Sequence, residues 1–110
     1  EEHDSKVAFT SHLPQFLATT LINTLIKQEK SSSDICDLIG TGFLDFSRIA
    51  AGNPQMWTDI FLTNNENIIS KINSFIRELN YFKKIIKDRD DLNIKQYLAE
   101  GSKKRKEIER

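Results

Sequence analysis

The sequence predicts an all-α domain, a bundle of five or six helices. Apolar residues recur three and four positions apart through most of its length. No alternating stretch is long enough for a strand. The gaps between periodic segments hold helix-breaking and capping residues, in "KSSSD", "GTG", "GNP" and "DRDDLN".

Residues 6–29 place Val7, Phe9, Leu13, Phe16, Leu17, Leu21, Leu25 and Ile26 at helical spacing. Pro14 interrupts them. It has no N–H for the carbonyl of Thr10, so the helix kinks or restarts there, with Thr10 or Ser11 placed to satisfy the freed groups. "KSSSD" is a turn rich in N-cap residues. A short helix through Ile35, Leu38 and Ile39 follows, and "GTG" at 40–42 ends it. The next helix runs from about Gly42 to Ala51, and "GNP" closes it. Pro54 suits the first turn of "PQMWTDIFLT". Asn64 or Asn65 caps the longest helix, 65–88. There Ile68, Ile72, Phe75, Leu79, Phe82 and Ile86 form a stripe that Ile69, Ile76 and Ile85 widen. "DRDDLN" breaks the chain before a weaker helix over about 92–109, with Gly101 a soft point in it.

A chain of 110 residues suits a single domain with one core. Its 16 basic and 16 acidic residues balance, which argues against a general nucleic-acid binder. "KKRKEIER" at the end is basic and reads as a solvated helix end, with 100–110 serving as a linker. Cys36 is the only cysteine, so no intrachain disulfide forms, and a reducing, cytoplasmic compartment is expected. No run approaches the length of a membrane span, and no signal peptide is visible. The sequence begins at Glu1 without methionine and stops at Arg110 within a helical run, so a piece of a longer protein is expected. The stripe of the longest helix exceeds what one small domain readily covers, which points to a dimer.

Arg48 sits one turn after Asp45 and reads two ways. It is an exposed ion pair worth at most ~1 kcal/mol, or a clamp whose planar fork meets a carboxylate with two hydrogen bonds. In the second reading the free N–H groups after "GTG" add to the pull on an anion. His12, in "TSHLPQ", either caps and packs or donates to a substrate oxygen. Trp57 either fills the core or walls a pocket beside Arg48. His3 lies close to the start and depends on an upstream segment to hold it. Two histidines and a distant cysteine make no metal site, and no nucleophilic triad can be assembled. No glycine-rich phosphate loop is present, since "GTG" lacks a preceding strand.

"SHLP" together with "GFxDFxRIAxxxPxMWxDIFxxN" resembles the C-terminal helical domain of prephenate dehydrogenase, over residues 3 to about 85. That resemblance implies an enzyme that oxidatively decarboxylates prephenate to 4-hydroxyphenylpyruvate in tyrosine biosynthesis. It implies an N-terminal Rossmann domain, absent from this chain, that binds NAD and supplies the catalytic histidine. The helical domain would dimerise and bind prephenate, and alone it would be inactive. Carried over by position, Arg48 binds a prephenate carboxylate and Asp45 orients it. Thr41 and Gly42 belong to the pocket loop, Thr41 standing where the family often has glycine. Trp57 is the pocket tryptophan. His12 is the first histidine of the family's "SHLPH", and Gln15 replaces the second, which puts a charged contribution there in doubt. His3 matches a histidine just ahead of this segment. No catalytic, NAD-binding or metal residue is assigned to the chain. The alternatives are an arogenate dehydrogenase domain and a stand-alone helical interaction module; some relatives also carry an ACT domain after the helices.

Overall fold

Helical periodicity becomes helix almost throughout the computed structural model, which describes residues 2–109. Six α-helices follow one another: α1 Glu2–Val7, α2 Leu13–Glu29, α3 Thr41–Ser47, α4 Pro54–Thr63, α5 Asn65–Lys87 and α6 Asp91–Glu107. No strand occurs among the described residues, as the all-α expectation required.

The α-helix restarts at Pro14 as expected, with the proline in the first turn of α2. α1 runs into α2 through a π turn, Ala8–His12, closed by the N–H of Leu13 on the carbonyl of Ala8. An α-helix would aim the carbonyl of Thr10 at the Pro14 ring. Widening the turn by one residue avoids that contact. The Thr10 hydroxyl does not serve the freed group. It donates to the carbonyl of Lys6 at 3.0 Å.

The Ile35–Leu38 segment is a 3₁₀ turn. The Arg48 helix is divided: α3 ends at Ser47, and Arg48–Ala51 tightens into a second 3₁₀ turn. Ser47 is buried, and its hydroxyl donates to the carbonyl of Phe43 at 2.7 Å, a back-bond that competes with regular helix at this point. Asn53 caps α4 by accepting from the N–H of Met56 at 2.9 Å, and Pro54 sits in the first turn.

The chain divides into two compact units, one up to Ile72 and one from Asn73 onward. In the first, α2 packs against α3 and both 3₁₀ turns. Its core is small: Ala8, Leu13, Ala18 and Ile68 are buried. Ala8 and Ala18 are fully covered, and their size lets neighbouring backbones come close.

In the second unit, the latter part of α5 meets α6 through side chains. The Phe82 and Tyr97 rings lie 4.9 Å apart, and the Tyr97 hydroxyl donates to Glu78 Oε1 at 2.6 Å. α5 ends in a Schellman turn. The N–H of Asp90 reaches the carbonyl of Ile85 and that of Arg89 the carbonyl of Ile86, both at 3.0 Å. Arg89 takes the left-handed position, φ 55°. Asp90 then caps α6 by accepting from the N–H of Asn93.

The α5 stripe is only partly covered. Ile68 and Ile85 are buried, whereas Ile69, Ile76, Leu79 and Ile86 are each about half exposed (45–54 %). Among the described residues, no helix is long and apolar enough to cross a membrane.

Candidate functional site

The π turn and α4 bring His12 against Trp57. Their ring centroids are 6.0 Å apart and their planes nearly perpendicular, 82°. Phe61, one turn after Trp57 on α4, backs the indole at 5.8 Å. This edge-on contact is worth about 1 kcal/mol beyond area burial. It also fixes both ring planes between two clefts.

The first cleft, about 320 Å³, lies between α1, the π turn and α4. His3, Asp4, His12, Asp59 and Asn64 supply its polar lining. The second, about 240 Å³, lies between α2 and the Gly52–Phe61 segment. Gln15, Thr19, Asn53, Trp57 and Thr58 supply its polar groups, and no charged side chain lines it.

Gln15 is 5 % exposed; its amide makes no hydrogen bond to the described residues, and its polar atoms stay within reach of solvent. The indole N–H of Trp57 is likewise unbonded. Both groups line the second cleft, so an oxygen placed there would find two N–H donors. Gly52 makes the arrangement sterically possible. A β-carbon at that position would lie 2.8 Å from Trp57 Nε1 and 3.5 Å from Gln15 Nε2.

The sequence-predicted residues therefore fall into separate places. His3 and His12 line the first cleft, and Gln15 and Trp57 the second. Thr41, Gly42, Asp45 and Arg48 are exposed on α3 and the turn after it, and line neither cleft. Thr41 and Gly42 are helical rather than part of a loop. Arg48 and Asp45 form no ion pair with each other or with any described residue. The helix changes pitch between them, at Ser47 (ψ −1°), so regular helical spacing no longer sets their approach. The Arg48 guanidinium is left open to a ligand or another surface.

Several lining residues escaped the sequence reading. Asn64 was read only as a helix cap, although it ends the "DIFxxN" motif. Gly52 was read only as a helix stop. Asp59 stands within the same motif without a role assigned to it, and Asp4 carries no local signal. No group of three metal-ligating side chains gathers among the described residues.

Residues 1–100 match the family described as prephenate dehydrogenase, dimerization domain. The chain is 31% identical over 97 residues to the prephenate dehydrogenase of Bacillus subtilis, covering 88% of this chain and 26% of that protein. It is 33% identical over 106 residues to the cyclohexadienyl dehydrogenase of Zymomonas mobilis, covering 96% and 36%. It thus spans about a quarter to a third of the length of these curated relatives. Among solved structures, prephenate dehydrogenase from A. aeolicus in complex with hydroxyphenyl propionate and NAD+ superposes with a TM-score of 0.92 at 40% identity, over 99% of this chain and 38% of that one. A family match running from α1 into α6, with a fold agreement this close, places the chain in the prephenate dehydrogenase dimerization-domain family.

Proposed function

We propose that this chain is the substrate-binding and dimerisation domain of an NAD-dependent prephenate dehydrogenase of the cytoplasm. The observation that carries the reading is the A. aeolicus structure, whose ligand pairs a hydroxyphenyl ring with a carboxylate. The reaction takes a hydride from the ring carbon bearing the hydroxyl and releases the ring carboxylate as carbon dioxide.

No strand and no glycine-rich strand-to-helix turn occurs among the described residues, so this chain has no dinucleotide cradle of that kind. NAD and the catalytic histidine belong to a preceding Rossmann domain. The role of the present chain is to hold the dianionic substrate. The unpaired Arg48 fork takes a carboxylate, with Asp45, Thr41 and Gly42 shaping the surface from which it reaches. Gln15 and Trp57 present polar atoms to the less charged part of the ligand from the second cleft, and His12 and His3 present theirs from the first. Without the preceding domain the chain is inactive.

The half-exposed stripe of Ile69, Ile76, Leu79 and Ile86 is the surface a second copy would cover. The family's description as a dimerization domain supports that partner.

The arogenate reading is not favoured. The family model and the curated relatives named above are prephenate and cyclohexadienyl dehydrogenases, which support prephenate over arogenate. Assay of the full-length enzyme with each substrate and NAD is decisive. Turnover of prephenate is expected, and an enzyme that oxidises arogenate alone would overturn the reading.

A further inference from the structure

Asn64 sits at the junction of α4 and α5 and reaches back to the start of the chain. Its Nδ2 lies 3.0 Å from the backbone carbonyl oxygen of Asp4 and 3.4 Å from Nδ1 of His12. Its Oδ1 accepts from Asn67 Nδ2 at 2.8 Å.

The two ends of a carboxamide have nearly the same shape, so their partners must decide which is which. A backbone carbonyl can only accept. The Asn64 atom beside Asp4 is therefore the nitrogen, since the opposite choice would set two acceptors 3.0 Å apart. That nitrogen has two hydrogens. One serves Asp4, and the other points to the His12 ring. A nitrogen facing an N–H donor can only accept, so Nδ1 of His12 carries no hydrogen. The contact with Trp57 holds the ring plane that makes this approach possible.

We infer that Asn64 is a positioning residue that selects the His12 tautomer with a bare Nδ1 and a hydrogen on Nε2. Nε2 has no partner among the described residues, so its N–H is available to an oxygen acceptor in the first cleft. That this oxygen belongs to prephenate rests on the function proposed above; the tautomer does not.

Histidine nitrogen resonances test the tautomer directly. The chain has two histidines, so His3→Gln leaves His12 as the only signal. In alkaline buffer, long-range nitrogen–proton spectra should show the Nε2–H pattern alone. Asn64→Asp should move His12 toward the Nδ1–H pattern, because a carboxylate can only accept. A wild-type chain with Nδ1–H, or with the two tautomers mixed, would overturn the inference, even where the aspartate variant fails to fold. In the full-length enzyme, Asn64→Asp should raise KM for prephenate about tenfold, the loss of one buried hydrogen bond, with a smaller change in kcat. The expected spectra with an unchanged KM would refute the contact between His12 and prephenate and leave the tautomer standing.

Discussion

The indole nitrogen of Trp57 occupies the space that a side chain at Gly52 would need, with only 2.8 Å to an ideal β-carbon. The 3₁₀ turn that carries Arg48 ends at Gly52, and α4 begins two residues later. A contact this close links the Arg48 turn to the wall of the second cleft. Gly52→Ala should therefore push Trp57 away from Gln15 and His12. Overpacking of this kind costs about 1–3 kcal/mol. A lowered Tm and a changed tryptophan emission maximum are the expected readouts. An alanine variant with wild-type emission and stability would show that the indole moves aside freely.

Arg48 has no partner among the described residues, so its removal should cost little stability and much affinity. In the full-length enzyme, Arg48→Ala should weaken prephenate binding by about 2 kcal/mol or more, the scale of a charge-assisted hydrogen-bond pair. The thermal midpoint should hardly move. Lysine should rescue only partly, because an ammonium cannot make the two-pronged contact. An unchanged KM for prephenate would remove Arg48 from the binding site.

The uncovered α5 stripe predicts a dimer in solution. Light scattering at high micromolar concentration should give twice the chain mass. Ile76→Glu with Leu79→Glu should shift the equilibrium to monomer, because both positions are about half exposed in the single chain and would carry charge into the interface. A wild-type monomer at that concentration would contradict the assignment.

Arg89 holds a left-handed backbone angle that glycine adopts at no steric cost. The conformation costs an L residue about 1–2 kcal/mol, and glycine gives back part of that through its freer unfolded chain. Arg89→Gly should raise stability by about 0.5–1 kcal/mol, measurable by urea denaturation. A destabilised glycine variant would mean that the arginine side chain contributes more than its backbone strain costs.

Asp90 carries the clearest acid-side pH dependence. The side-chain amide of Asn93, then its backbone N–H, bonds the carboxylate and holds it below its usual value of 3.8. A lowered folded-state value means that the stabilisation is complete above the unfolded value and is lost as pH falls through the folded one. Stability of wild type should therefore drop below about pH 4 more steeply than that of Asp90→Asn. Parallel acid limbs for the two proteins would show that this cap does not contribute.

Much of the fold was legible. Local spacing of apolar residues located every long helix, and Asn53, Pro54 and "DRDDLN" marked helix ends by chemistry that needs no distant partner. The π turn was not legible, since Pro14 signals only that the helix cannot continue unchanged and leaves open how the turn adjusts. The same holds at Ser47, where a hydroxyl with a local hydrogen bond divides a helix that apolar spacing runs together. At the candidate site, the residue types in "SHLPQ" and "DFSRIA" suggested carboxylate and polar recognition. The exposure of Arg48 without Asp45, and the placing of Gln15 beside Trp57 on one cleft, required the packed chain.

The sequence by itself determined the helical class, the approximate helix ends and the family, because each depends on neighbours a few residues apart or on a motif read in order. Only the tertiary structure decided which groups meet. Asn64 bonds the carbonyl of Asp4 sixty residues away, and His12 meets a tryptophan on another helix. Such contacts depend on how the elements pack together, a relation that hydrophobic periodicity along one helix does not encode.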